Sequence, residues 1–132
     1  MKKALFLLAI LPVFLFMACS SIDNNPKIPI TKSSIIGKWS TGTKGIHKYL
    51  EFESNGTGCY ASYNEDKMEQ NYFFSYEISN EIISITITHA NIGKELVGST
   101  KLWNCTLAGY NLIIENGTEN GVYKRIEEKT IQ

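Results

Sequence analysis

The chain predicts an all-β fold, an eight-stranded antiparallel up-and-down barrel, on three observations. From Ile35 onward apolar and polar residues alternate with a period of two, which places one face of each run in a core and the other in water. Asn55-Gly56, Asn116-Gly117 and Asn120-Gly121 interrupt the alternation with pairs that tolerate the left-handed backbone of tight hairpins. The composition, with 7 Tyr and 6 Phe alongside frequent Ile and Thr, suits short strands, and no long stretch carries a helical period. The predicted organisation is a signal peptide over 1–18, a flexible tether over 19–34, the barrel over 35–126 and a polar tail over 127–132.

The leader begins with Lys2 and Lys3 and continues as an uncharged run from Ala4 to Ala18. A helix of that run reaches ~22 Å, short of the ~30 Å hydrocarbon core, and Pro12 breaks it further. A basic start, a short apolar run and a small residue at its end describe an export signal. The ending Phe16-Met17-Ala18-Cys19 resembles the lipobox of bacterial lipoproteins. The resemblance implies cleavage before Cys19, a diacylglycerol on its sulfur and an acylated amine. Two or three acyl chains, at ~0.8 kcal/mol per buried CH₂, anchor a protein stably. The expected location is therefore the bacterial cell envelope, on the outer membrane, with the membrane itself as a partner.

Removal of the leader leaves 114 residues, one domain's worth. Loss of Lys2 and Lys3 leaves 11 basic against 13 acidic side chains, a net charge near −2 with no basic cluster, which excludes nucleic acid as a partner. Residues 20–34 are polar and carry Pro26 and Pro29, the composition of a tether.

The eight strands follow in order. The first covers 37–41. The second, 46–53, puts Ile46, Leu50 and Phe52 on one face and His47, Glu51 and Glu53 on the other. Asn55-Gly56 turns it into the third, 57–63. The fourth, 71–78, aligns Tyr72, Phe74, Tyr76 and Ile78. Asn80 turns it into the fifth, 82–88, where Ile83, Ile85 and Ile87 alternate with Ser84, Thr86 and Thr88. A short helical turn is expected near 90–96. The sixth strand, 100–107, groups Trp103, Cys105 and Leu107, and Ala108-Gly109 leads into the seventh, 110–115. The last, 122–126, closes the set.

A single open sheet would leave two edges and one apolar face wet, whereas eight consecutive hairpin-linked strands can close on themselves. Gly37-Lys38-Trp39, opening the first strand after a polar lead-in, resembles the Gly-x-Trp signature of lipocalins. The stretches Glu53-Ser54-Asn55-Gly56-Thr57-Gly58 and Gly121-Val122-Tyr123-Lys124-Arg125 resemble small lipocalin-like lipoproteins of the Bacteroidetes. The resemblance implies that Trp39 plugs the closed end and that Arg125 packs across its ring.

Links one, three, five and seven (42–45, 64–70, 89–99 and 116–119) are longer than links two, four and six. One end of a meander is then tightly tied and the other carries the variable loops. Since the first strand starts at the tight end, the lipid tether is expected to leave from there, with the mouth facing away from the membrane.

Chemistry-bearing residues are sparse. His47 and His89 with Cys59 and Cys105 lack the spacing of a zinc site, so no metal and no cofactor are expected. Glu51 and Glu53 share one wet strand face, and no nucleophile or phosphate loop accompanies them, so no catalytic residue is assigned and the chain reads as a non-enzyme. Cys59 and Cys105 are in an oxidising compartment and either pair as a disulfide or stay as two buried thiols. Tyr49, Tyr60, Tyr63, Tyr72 and Tyr76 either fill the core or line a ligand mouth. The ligand-contacting set under the second reading is Tyr49, Tyr72, Phe74, Tyr76 and Trp103. Two functions follow. One is a carrier holding a small hydrophobic or amphipathic ligand in the barrel; the other is a protein-interaction or inhibitor module acting through the loops around a filled barrel.

Overall fold

Alternation does its work along every long strand of the computed structural model, which describes residues 27–126. In chain order these are β1 (Lys27–Ile28), a helical turn α1 (Lys32–Ile35), β2 (Gly37–Ser40), β3 (Ile46–Phe52), β4 (Thr57–Asn64), β5 (Lys67–Ser79), β6 (Ile82–Ile92), a 3-10 turn (Lys94–Leu96), β7 (Thr100–Ala108), β8 (Asn111–Ile114) and β9 (Gly121–Ile126). Each strand from β2 to β9 pairs antiparallel with the next, and β2 pairs with β9 through Trp39↔Arg125. The ladder closes on itself, so the expected eight-stranded antiparallel barrel is the fold. The leader, Cys19 and the tail fall outside the described residues.

The inward positions are Trp39, Leu50, Phe52, Tyr60, Tyr72, Phe74, Tyr76, Ile83, Ile85, Ile87, Trp103, Cys105, Leu112, Ile114 and Tyr123, all buried in one cluster. Aromatic rings fill the middle: Phe52–Tyr76 and Tyr60–Tyr72 centroids lie 5.1 Å apart, and Phe74 meets Trp103 edge-on at 5.6 Å. Gly58 makes room for them, because a Cβ there would strike the Glu51 carbonyl and the Phe74 ring.

Two expectations need correction, and one open alternative is decided. Link three is not a long loop: β4 and β5 run on to a two-residue turn at Glu65-Asp66, with Glu65 at φ 55°. Residues 67–70 continue past the barrel rim with both faces wet, so they carry no alternation to read. Register shifts at Ser62/Tyr63, Asn71/Tyr72 and Phe73/Phe74 interrupt the ladder where this extension begins. The tether is also shorter than expected. Lys27 and Ile28 pair with Ala108 and Leu107 of β7, Ile30 is buried, and α1 is closed by a reciprocal Thr31–Ser34 capping box. One two-residue strand and one turn are too short to show a period.

The alternative left open for the cysteines falls to two free thiols. Cys59 faces outward on β4 and Cys105 inward on β7, with β5 and β6 between them. Three inter-strand steps of ~4.8 Å exceed the ~7 Å limit for a disulfide's Cα atoms.

Loops 41–45, 93–99 and 115–120 gather at one end, the mouth. The β3–β4, β5–β6 and β7–β8 turns tie the other, where the chain enters beside Ala108.

Candidate functional site

At the mouth the β8–β9 segment folds back into the barrel. Its path is set by Asn116, whose side chain substitutes for a strand on the free edge of β7. The Asn104 N–H donates to Asn116 Oδ1 at 2.8 Å, and Asn116 Nδ2 donates to the Leu102 carbonyl at 2.9 Å. Gly117 turns with φ 79° and a Cβ there would crowd Glu119 Oε1 at 3.1 Å. The chain then drops Glu119, only 1% exposed, into the interior.

Three strand-borne donors converge on that carboxylate. Tyr72 Oη donates to Oε2 at 2.9 Å, Lys101 Nζ donates to the same oxygen, and Trp103 Nε1 donates to Oε1 at 3.2 Å. Lys101 also stands 5.5 Å from the Tyr72 ring centroid. The backbone is held on either side: Tyr123 Oη donates to the Glu119 carbonyl at 2.6 Å and Lys48 Nζ to the Asn120 carbonyl at 2.6 Å.

Burial pushes the Glu119 carboxyl up, but the hydrogen bond and charge of Lys101, with the hydroxyls of Tyr72 and Thr118, outweigh it and hold the group below its ordinary range. Burial, with the nearby Glu119 charge, raises the phenols of Tyr60 and Tyr72. Burial likewise raises Tyr123, with Tyr60 and then Glu119 adding to it. The cage therefore holds one anion against one cation inside a ring of neutral phenols. Both carboxylate oxygens of Glu119 are thereby engaged by donors of the wall.

The residues singled out in the sequence separate into several places. Trp39 and Arg125 meet at the tight end: Arg125 Cζ lies 4.2 Å from the Trp39 ring centroid, and Trp39 Nε1 donates to the Ile35 carbonyl at 2.8 Å. Tyr72, Phe74, Tyr76 and Trp103 are inside, packed on one another. Tyr49 is not with them; it shares the outward parity of Glu51 and donates to Glu51 Oε1 at 2.9 Å. Tyr63 also faces outward, stacked on His47 at 5.0 Å. Depressions of about 640 Å³ (Ile30, Tyr76, Asn80), 590 Å³ (Pro29, Ile82, Asn104), 480 Å³ (Gly37, Phe52, Arg125) and 340 Å³ (Cys59, Phe74, Thr88) are open to solvent, and Tyr72, Trp103 and Glu119 line none of these four.

Glu119 was hidden among turn residues. The signal was on β7, where Lys101 has the parity of Trp103 and Cys105. An inward lysine demands a buried partner, and the only acid in link seven is Glu119.

Fold and site together define a closed eight-stranded β-barrel, filled with aromatic side chains and stoppered at its mouth by a carboxylate of its own chain. The chain belongs to the family of unknown function DUF5640, whose profile matches residues 33–126. It is similar to the NMR structure of a protein from Bacteroides thetaiotaomicron VPI-5482, with a TM-score of 0.64 and 29% identity over 77% of this chain and 98% of that one. No curated protein matches it. The Bacteroides neighbour fits the Bacteroidetes-type resemblance.

Proposed function

We propose that the protein is a lipid-anchored, non-enzymatic envelope protein whose filled barrel is a scaffold for a protein partner met at the mouth. The observation that carries this reading is the packed interior: Tyr72, Phe74 and Trp103 are each at most 1% exposed, and Glu119 occupies the entrance. A carrier of a hydrophobic molecule needs an apolar pocket of ~300 Å³ or more. Here the corresponding positions touch one another.

Anchoring rests on the leader and on Cys19, which precede the described residues. The chain joins the barrel at Lys27, opposite Ala108 and beside the β7–β8 turn. A lipid on Cys19 would therefore hold the tight end within ~28 Å of the bilayer and direct the mouth outward. The eight-stranded barrel keeps the ligand-carrier reading as a second one, since barrels of this size hold either side chains or one small ligand.

Native mass spectrometry of the protein from its own membranes tests both. Acyl mass on Cys19 with no further bound molecule supports the scaffold. A retained hydrophobic ligand moves the assignment to the carrier. A mature chain without acyl mass removes the anchor.

A further inference from the structure

We infer that the cage at the mouth is a binding site for a short carboxylate, and that Glu119 fills it from within the chain. The asymmetry of the cage carries this. Its donors, Tyr72, Lys101 and Trp103, sit on β5 and β7, the two strands that flank β6 in the closed wall. Its acceptor sits on the link between β8 and β9. The donors address both oxygens of the carboxylate, Trp103 one and Tyr72 with Lys101 the other.

A structural ion pair alone has little reason to be there, because well-packed apolar residues usually stabilise an interior as well as a buried pair does. A recognition site does need such donors, held in place by the wall.

Exchange is physically open. The Lys101 side chain remains 26% exposed while the Glu119 side chain is 1% exposed, so solvent meets the cage at its lysine. Tyr123 and Lys48 hold the backbone at Glu119 and Asn120, so only the Glu119 side chain has to swing out. An incoming carboxylate keeps the one-anion, one-cation balance that an amide cannot. The space vacated is that of two methylenes and a carboxylate. The ligand end is therefore the size of propionate, and anything longer must project through the mouth, since Tyr60, Tyr72 and Tyr123 close the floor. The source is either a free short-chain acid or a glutamate of a peptide. This inference does not depend on acylation of Cys19.

Titration of the full chain with sodium propionate, with propionamide and with an acetyl-Gly-Glu-Gly-amide peptide tests it, followed by the indole N–H resonance of Trp103 with Trp39 as internal control. The expected result is a saturable shift of Trp103 alone with propionate or the peptide, and none with propionamide. The tighter of the two binders identifies the source. Glu119→Ala should bind about tenfold tighter, because it removes the internal competitor, and Lys101→Met should lose the response. The inference is overturned if wild-type Trp103 is unmoved by both carboxylates up to about 100 mM, well above the millimolar effective concentration of a tethered competitor. That holds even if Glu119→Ala responds, since Glu119 would then be a permanent stopper. An equal shift with propionamide overturns it too.

Discussion

Arg125 clamps Trp39 from above while holding the chain that leads into it. Its guanidinium lies 4.2 Å from the Trp39 ring centroid, and its two terminal nitrogens donate to the carbonyls of Ile36 and Ser34 at 2.6 and 2.8 Å. One side chain of the last strand thus closes the barrel seam, covers the indole and fixes the entry segment. Gly37 is part of the same arrangement, since a Cβ there would collide with the Arg125 guanidinium. Trp39→Ala is expected to cost ~3–5 kcal/mol through the cavity it leaves. Arg125→Ala should cost about 1 kcal/mol through the lost cation–π contact. Denaturant midpoints measure both, and an unchanged midpoint for Trp39→Ala would contradict its place as the plug.

Glu119 and Lys101 should behave as a unit. Removing Lys101 leaves the buried Glu119 carboxylate uncompensated, at about 3 kcal/mol or more, whereas removing Glu119 leaves Lys101, 26% exposed, in partial contact with water and should cost less. The double variant Glu119→Leu with Lys101→Met should lose clearly less than the sum of the single losses. Strict additivity in that cycle would mean the two side chains do not share a site.

The same carboxylate gives the fold an acid limit. Its folded pKa lies below the ordinary value of 4.5. The ionised form therefore adds stability that is fully present above pH 4.5 and is lost as pH falls through the lower folded value. Thermal melts should show wild type losing stability below about pH 4.5 more steeply than Glu119→Gln, which has nothing to protonate there. Parallel curves would place the acid sensitivity elsewhere.

Gly58→Ala tests the aromatic filling. The new methyl would lie 2.7 Å from two Phe74 ring atoms as well as against the Glu51 carbonyl. Overpacking of this kind costs ~1–3 kcal/mol. A variant as stable as wild type would show that the interior has room to spare.

The thiols should be slow. Burial, then the charges of Glu51 and Glu53, push Cys59 up to about 11, and burial with Glu115 pushes Cys105 up to about 12. Alkylation of the native protein at pH 8 without reductant, read by intact mass, should modify half-buried Cys59 before Cys105, and both after unfolding. A chain two mass units short that resists alkylation when unfolded would reveal a disulfide.

Much of this molecule is legible one residue at a time. Period-two alternation assigns Tyr72, Phe74 and Tyr76, and Ile83, Ile85 and Ile87, to the inside, because a half-buried strand allows no other arrangement of its apolar residues. Asn55-Gly56 sets a hairpin through its backbone preference alone. With eight such strands in succession, closure follows from the cost of open edges, and the pairing of Trp39 with Arg125 was anticipated from a family likeness. Tertiary structure decided what local pattern does not encode. Residues 67–70 became strand because β4 extends beside them to Asn64. Cys59 and Cys105 stayed apart because they face opposite sides of the wall. Glu119 became the centre of the mouth because inward Lys101 and Trp103 require an acceptor, and whether a loop acid supplies it depends on a return path through space that Asn116 and Gly117 set only once β7 and β8 are already paired.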